Sequence, residues 1–432
     1  MTKNEAIRKT MMETKARREE MTPRVYIVKI VKGKLSREKK EHLNRLFLEG
    51  KWVWNHTLSA ADVFHADRDI KSVTVKTPDG EESRPLQALG SQMKQDIVDS
   101  VGVAIKSLSS KKKAGEKVGR VRFRKYCNMI PLRQYGTTYR IDFERNTVSV
   151  QRLKGAIKVR GLAQIPKEAE IANARLVRKP DGLYFHITAY TEREERIPTG
   201  AVGACDFGIE KNFTFDDDKT IDICVEESKK LKRDQRKMNR LHAKNGKTKN
   251  HEKRVAMIRR DYQKMENRKN DKANKFVHDI LTDYDIFAIQ DEMINAWHKG
   301  LFGRSVQHSA MGRVKAKLKN SPRTIVVAKS FPSTQRCPIC GEDTPHPLSK
   351  RDYDCSYCGY HHESRDVKSA AMILMEALKQ NVCTERTTKG PAKAAASLER
   401  AGEYLLFPKA ATDQGRAVPP LGKQEAQAFR LG

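Results

Sequence analysis

Apolar and polar positions change rhythm several times along this chain, and the changes divide it before any chemistry is considered. Residues 1–21 are polar and basic with helical character. Residues 24–31, Arg-Val-Tyr-Ile-Val-Lys-Ile-Val, are rich in β-branched side chains and predict a strand. From Ser36 the run Ser-Arg-Glu-Lys-Lys-Glu-His-Leu-Asn-Arg-Leu-Phe-Leu-Glu opens on a capping residue and continues at helical period. A second helix is expected over residues 89–108, with Thr77-Pro78-Asp79-Gly80 as a loop between the two, so residues 36–130 read as a helical insertion. Residues 138–192 return to short alternating runs such as Tyr-Arg-Ile-Asp-Phe and Thr-Val-Ser-Val. The two flanks of the helical segment therefore read as one small β-barrel that it interrupts.

After a linker at Ile197-Pro198-Thr199-Gly200 the order of elements differs. Strands are expected at 201–205, near 213–215 and at 220–225, followed by a long polar helical region. A strand at 286–289, a helix at 308–319, a strand at 324–327 and a helix at 366–378 complete the set. Three strands, helix, strand, helix, strand, helix is the order of a ribonuclease H-like domain. Residues 384–432 shift to Ala, Pro, Gly and charge without periodicity, and the chain from 381 onward is expected to be a disordered tail.

Length and charge narrow the partners. A chain of 432 residues exceeds the size at which one hydrophobic core stops growing, so two to four modules are expected. Its 85 Lys and Arg against 54 Asp and Glu leave a charge of +31, which a nucleic acid would neutralise, although a plain basic binder would show the same excess. The beginning of the chain lacks an apolar signal core, and no apolar run approaches the roughly 20 residues of a membrane helix, so a soluble, cytoplasmic protein is expected.

Two constellations carry chemistry. Cys337-Pro-Ile-Cys340 and Cys355-Ser-Tyr-Cys358 are paired knuckles separated by fourteen residues, enough for a hairpin that returns one pair to the other. Four thiolates in tetrahedral geometry favour a structural Zn2+ over an iron centre, and His361 and His362 are left facing solvent. The second constellation is acidic. Asp206 and Glu292 each end an apolar strand run and Asp366 opens a helix, so their carboxylates could share a site for Mg2+, which prefers hard oxygen ligands. A lone Asp after a strand is more often a cap; the joint arrangement is what points to catalysis. Two ions about 3.5–4 Å apart would be bridged by Asp206, with Glu292 and Asp366 completing the shells. Asp291 is left out because strand alternation turns it to the opposite face. Basic runs supply candidate nucleic-acid contacts. Residues 229–275 hold nineteen Lys or Arg and five Asp or Glu, too unbalanced for intrahelical pairing, and Arg233, Arg236, Arg240 and Arg268 belong to this run. Arg120, Arg122, Arg124 and Lys125 interleave cations with Val121 and Phe123, as suits a strand lying along phosphates; an edge strand guarded by charge is the plainer alternative.

The motifs together resemble the TnpB family of transposon-encoded RNA-guided nucleases and the similar miniature type V CRISPR effectors. The matching residues are Trp54-Asn55, the basic segment 115–125, Gly203-Ala-Cys-Asp206-Phe-Gly-Ile209, Asn267-Arg268, Ile289-Gln-Asp-Glu292, Ser333-Thr-Gln-Arg-Cys337-Pro-Ile-Cys340-Gly341 and Arg365-Asp366. The resemblance implies a multidomain α+β protein. Residues 1–21 would be a basic extension, 22–35 with 131–197 a wedge β-barrel, 36–130 a helical recognition domain, 198–330 with 359–380 a RuvC-like nuclease domain, and 331–358 an inserted zinc ribbon. It also implies Asp206, Glu292 and Asp366 as RuvC-type acids, a structured guide RNA and double-stranded target DNA as partners, and base pairing as the source of specificity beside a short flanking motif. Lys368 stands where the family usually has Asn, Met293 where Leu is usual and Cys205 where an aliphatic residue precedes the first acid; none removes a metal ligand. A nuclease-inactive guided repressor and a transposase are the competing readings.

Overall fold

The computed structural model describes residues 3–77, 80–115, 117–193, 198–347 and 349–389. The chain divides into two compact units, one of residues 1–196 and 237–263, the other of 197–236 and 264–432.

The first unit runs α1 (Lys3–Glu19), β1 (Thr22–Ile30), α2 (Arg37–Ser59), β2 (Ser72–Thr77), β3 (Gly80–Pro85), α3 (Ser91–Lys113), β4 (Met129–Leu132), β5 (Tyr139–Asp142), β6 (Thr147–Val150), β7 (Ile157–Arg160), β8 (Glu170–Lys179) and β9 (Gly182–Thr191). Seven of these strands form one near-barrel sheet in the order β4-β8-β9-β1-β7-β6-β5, antiparallel throughout. Alternation explains its inner face: Val28 and Ile30 on β1, Ile157 and Val159 on β7, and Phe185, Ile187 and Ala189 on β9 are all buried. Helix α2 begins as the sequence indicates, with the Ser36 hydroxyl accepting from the Lys39 amide at 3.3 Å. Its apolar stripe, including Leu43, Leu46 and Val53, joins the same core. Gly50 is required in that stripe because a Cβ there would lie 2.6 Å from Ile130 Cδ1.

Two expectations for this region are corrected. Residues 36–130 are not purely helical, because β2 and β3 pair as an antiparallel hairpin; Pro78 and Asp79 of the expected loop lie outside the described residues. Residues 120–125 belong to no ladder and bend at Lys125, so they form neither the expected strand nor an edge strand.

A buried carboxylate orders the helical segment. Glu49 is fully buried on α2 and accepts the amides of Gln87, Ala88 and Leu89 at 2.9, 2.9 and 3.0 Å, while Arg45 Nε reaches it at 2.8 Å. It thus fixes the chain just before α3 begins.

The second unit adds β10 (Val202–Phe207), β11 (Phe213–Phe215), β12 (Thr220–Ile221), α4 (Lys229–Asn245), α5 (Lys249–Asp283), β13 (Ile286–Gln290), α6 (Ile294–Trp297), α7 (Gly303–His308), α8 (Met311–Lys319), β14 (Thr324–Val327), β15 (Tyr353–Asp354), β16 (His361–His362) and α9 (Arg365–Lys389); α4 and α5 each cross between the two units. Its sheet has the order β12-β11-β10-β13-β14, antiparallel up to β10 and parallel from β10 to β14, the ribonuclease H-like arrangement. Both faces of the central strands are covered. Cys205, Phe287 and Ile289 pack with Phe276, Met311, Val314 and Leu318, while Ala204 and Ala288 on the opposite face pack with Ile373, Leu374 and Ala377 of α9.

The third expected strand stops at Ile221, and the expected helix at 308–319 begins only at Met311, as α8, separated from the short α7, for one reason. The Val225 amide donates to His308 O at 3.0 Å and the Ala310 amide to Ile223 O at 2.9 Å, so these two segments pair with each other. Helix α9 continues to Lys389, into the segment expected as a tail; residues 390–432 and Ile197 of the expected linker lie outside the described residues.

Replacing Glu49 with Ala leaves three buried amides and Arg45 without their acceptor, and should cost about 3 kcal/mol or more. Denaturant unfolding checks this; a loss under about 1 kcal/mol would show that water takes over the carboxylate's role.

Candidate active site and metal centre

Strand parity places the first two acids. On β10, Asp206 shares the face of Ala204; beyond β13, Glu292 continues the parity of Ala288 and Gln290. The parallel register sets Cys205 opposite Ile289, so Asp206 and Glu292 lie at the carboxyl ends of adjacent strands on the face that α9 covers. Asp366 is in the first turn of α9. On the opposite face of β10, Gly203 leaves room for the Tyr284 ring, from which a Cβ would lie 2.5 Å.

The charges of the other two acids reach Asp206. Burial first, then the charge of Asp366 and, more weakly, that of Glu292 push the Asp206 carboxyl up to about 7, against a hydrogen bond from Ser369 that favours the ionised form. Burial also raises Glu292, while Lys329 and Lys315 offset part of that rise. Asp366 has Arg351 Nη1 at 3.7 Å and Arg365 Nη2 at 3.5 Å. Among the described residues, the groups whose ligating atoms all lie within 4.8 Å of one another are the four cysteines and Asp352, Asp354 and His361; the three acids are spread more widely. Asp291 pairs instead with Lys315 at 2.6 Å and Lys319 at 3.3 Å on α8.

The four cysteines form a closed cluster. Cys337 Sγ and Cys358 Sγ are 3.6 Å apart and Cys340 Sγ and Cys355 Sγ 3.5 Å. A tetrahedron with bonds of about 2.3 Å has edges of about 3.8 Å, so zinc fits. Each knuckle turns on a glycine with positive φ: Gly341 at +77° donates to Cys337 O and Gly359 at +74° to Cys355 O, both at 3.1 Å. Burial works against ionising Cys355, but amides of Cys358 and Tyr357 bring it down to about 6, while burial pushes Cys358 up to about 12. Thiolates this close need a cation to share the site. Neither histidine joins them. His361 Nδ1 lies 2.6 Å from Asp354 Oδ1, and His362 accepts the Ser364 amide at 3.0 Å. Lys350, 3.6 Å from Asp352 and paired with Asp354, already neutralises the neighbouring acidic group.

Sequence reasoning missed the role of one residue between the two centres. Lys368 is fully buried, and its Nζ donates to Ser333 O, Thr334 O and Arg336 O at 2.9, 2.8 and 3.0 Å, 3.9 Å from the centre of the Tyr353 ring. Burial pulls its pKa down to about 7, yet three carbonyl acceptors use all three N–H donors of the ammonium, so the geometry requires the charged form. Only its departure from the expected Asn marked it in the sequence.

The basic candidates are placed separately. Asn55 clamps the segment 120–125 by donating to Arg124 O at 3.0 Å and accepting the Arg124 amide at 2.7 Å, and Arg124 stacks 3.2 Å over the Trp54 ring. Arg120, Arg122 and Lys125 are exposed, beside Phe123 and Tyr126, which are 64% and 71% exposed. On α4, Arg233, Arg236 and Arg240 are exposed at the three- and four-residue spacing of one helical face, and Arg268 is exposed on α5.

Purified protein should carry about one zinc, and Cys340→Ser should lose it together with several degrees of melting temperature; elemental analysis alongside calorimetry checks this, and intact thiols without metal would refute the site. In metal-free protein the folded Asp206 binds its proton up to about 7 and the unfolded one only to about 3.8. Between these values the folded state holds more protons, so stability is full below about 4 and declines as pH rises to 7, by on the order of 3 kcal/mol at most for a half-buried side chain. Asp206→Asn should flatten that slope in urea unfolding series; an unchanged slope would place the effect elsewhere.

Comparison with known proteins follows this geometry. Residues 310–373 match the family model described as the Cas12f1-like TNB domain. A search of the curated proteins gives no match. Among solved structures, the chain is similar to the Cas12f1 of a Cas12f1–sgRNA–target DNA complex, with 10% identity, a TM-score of 0.40, and 78% of this chain and 83% of that one covered. It is also similar to the mini-RNA-guided endonuclease CRISPR-Cas_phi3, with 8% identity, a TM-score of 0.47, and 83% and 92% covered. The span from the start of α8 to the middle of α9, ribbon included, is thus TNB-like, and with it stands the chain's likeness to the TnpB family and the miniature type V effectors.

Proposed function

We propose that the protein is an RNA-guided DNA endonuclease, with Asp206, Glu292 and Asp366 as its catalytic acids. The observation that carries the proposal is the placing of Asp206 and Glu292 at the carboxyl ends of adjacent strands of a ribonuclease H-like sheet, beside the first turn of α9 with Asp366, where burial first and then the charges of Asp366 and Glu292 raise the Asp206 pKa to about 7. The TNB-like segment supports the same reading, and the proteins with which the chain shares fold features include one solved with an sgRNA and target DNA.

The carboxylates offer hard oxygen donors in a site whose like charges call for a divalent cation, and Mg2+ suits them. Asp206, Glu292 and Asp366 would hold such ions, which would supply the activation of a water and the stabilisation of the leaving 3′ oxygen. The chain's own work is to hold Asp206, Glu292 and Asp366 on rigid elements, to keep Asp206 ionised once cations arrive, and to place Arg351 and Arg365 against Asp366. Arg120, Arg122, Arg124 and Lys125, with Arg233, Arg236, Arg240 and Arg268, would contact the backbones of guide RNA and DNA, a term that weakens with salt. In this reading the sheet of 22–35 and 131–197 is the wedge, 36–130 recognises the guided duplex and its flanking motif, 198–330 with 359–380 cleaves, and 331–358 is the ribbon beside the site. Base pairing then supplies the sequence specificity.

RNA copurified from expressing cells should be a discrete structured species. With magnesium and plasmid matched to that RNA, the wild-type complex should cut, and Asp206→Ala should retain the RNA while cutting at least a thousandfold more slowly. Matched binding without cutting would instead identify a guided repressor, and the absence of a discrete RNA would end the guided reading.

A further inference from the structure

We propose that Lys368 and Ser369 form a latch through which the zinc ribbon positions Asp206, so that zinc binding at the ribbon and cation binding at the acids are thermodynamically coupled. The inference rests on the acid site proposed above and adds to it a positioning residue, Lys368, that reaches no ligand itself.

The argument begins at the root of the ribbon, residues 333–336, which lead directly into Cys337. Three side chains from two elements of the nuclease-like unit grip this short segment. From α9, Lys368 donates to the carbonyls of Ser333, Thr334 and Arg336 at 2.9, 2.8 and 3.0 Å. From β13, Gln290 accepts the Ser333 hydroxyl at 2.8 Å, while its own amide donates to Phe331 O at 2.6 Å and to Ala328 O at 3.2 Å. The third grip is Ser369, whose hydroxyl donates to that of Ser333 at 3.0 Å and lies near the Asp206 carboxyl. Ser333, Gln290, Lys368 and Ser369 are all buried.

The geography is what makes this a coupling. Gln290 is two residues before Glu292, and Lys368 and Ser369 are two and three residues after Asp366. Two of the three elements carrying an acid, β13 and α9, therefore bond to the same four-residue root, and Ser369 on α9 lies beside the third acid, where it favours the ionised form. At the other end of the root, Arg336 is adjacent to Cys337, whose thiolate zinc would fix. With zinc bound, the root is held at both ends and Ser369 is constrained between Ser333 and Asp206. Without zinc, the root is held by its polar bonds alone and the Asp206 carboxylate loses part of its orientation. Lys368 is suited to this because an ammonium supplies three N–H donors from one point, whereas an Asn amide supplies two. The residue that departs from the family pattern thus takes its place in the structure by serving the ribbon's root rather than the metal. Groups that orient ligands in this way typically change metal affinity by about 10–100-fold when removed.

The test is a thermodynamic cycle on the full-length protein. Mn2+ serves as the probe, its binding followed by titration calorimetry and electron paramagnetic resonance, and Asp206→Ala identifies the signal that belongs to the acids. Wild type, Lys368→Met and Ser369→Ala are each measured with zinc and after its removal by a chelator. Amide hydrogen exchange over residues 333–336 is recorded in parallel. Zinc removal and Lys368→Met should each weaken Asp206-dependent Mn2+ binding about tenfold or more, and together no more than either alone, because both release the same root. Exchange at 333–336 should accelerate in both, while residues 373–378 of α9 remain protected. Ser369→Ala should weaken Mn2+ binding with the root still protected, which a purely stabilising role for Lys368 would not produce. Losses that multiply, or Mn2+ binding that ignores zinc, would overturn the coupling. Should wild type show no Asp206-dependent Mn2+ signal, the acid site itself is refuted, while the exchange arm still decides whether Lys368 holds the root. If Lys368→Met does not fold, Lys368→Gln takes its place with the same expectations at smaller amplitude.

Discussion

Everything at the candidate site follows from the parallel register of β10 and β13. With Cys205 opposite Ile289, the even-numbered positions of both strands face α9, and the small side chains of Ala204 and Ala288 let that helix approach closely enough to bring Ala377 and Ile373 into the same core. The chain then has no freedom to separate its acids: Asp206 and Glu292 emerge on that face, and the first turn of α9 brings Asp366. A one-residue slip would bury the acids among Phe276, Met311 and Leu318 on the opposite face and turn Cys205 and Ile289 towards α9 instead. The cost of the arrangement is visible in Asp206, which burial and its acidic neighbours hold near a neutral pKa. Three carboxylates at the end of a well-packed sheet are a strain that a cation relieves, and a chain selected for stability alone would have little use for them.

The second consequence concerns the ribbon. The chain leaves the sheet after β14, builds the cysteine cluster, and returns at Arg365 one residue before the third acid. The cysteine cluster is therefore inserted directly before the helix that carries the third acid, and its own order can reach that acid through the residues at the junction. Polar groups gather there for that reason. Lys368, Ser369, Ser333 and Gln290 are buried where apolar packing would be cheaper, and each is satisfied by hydrogen bonds to the others or to backbone. Arg351 adds a connection on the outside, leaving the ribbon between its two knuckles to approach Asp366 at 3.7 Å.

Much of this was legible because it depends on periodicity. The strands at 24–31, 286–289 and 324–327, the cap at Ser36 and the two knuckles are local signals, and the structure places elements there within a residue or two. The acids were legible as element ends, and the exclusion of Asp291 followed from alternation alone; its pairing with Lys315 and Lys319 agrees. What could not be read was whatever depends on a distant partner. Nothing in residues 72–85 distinguishes a hairpin from a polar loop until its cross-strand pairing is seen, and the break between α7 and α8 is made by a segment about eighty residues earlier. Lys368 was the sharpest case: in sequence it is a basic residue on an Ala-rich helix, where solvent exposure is the ordinary expectation, and only the folded junction supplies three carbonyls aimed at one point.

The basic segment illustrates the same rule with a different outcome. Its cations suggested a charged edge strand, yet residues 120–125 pair with no strand, and their shape is imposed by α2: Asn55 satisfies both backbone groups of Arg124 as a ladder partner would, and Trp54 takes the guanidinium on its face. A side-chain amide thus replaces one rung of a sheet. Because uncharged groups do the holding, only Arg124 is consumed, and Arg120, Arg122 and Lys125 stay exposed around Phe123 and Tyr126. In the proposed function, these exposed cations and rings, held in place by α2, are what a polynucleotide's phosphates and bases would meet.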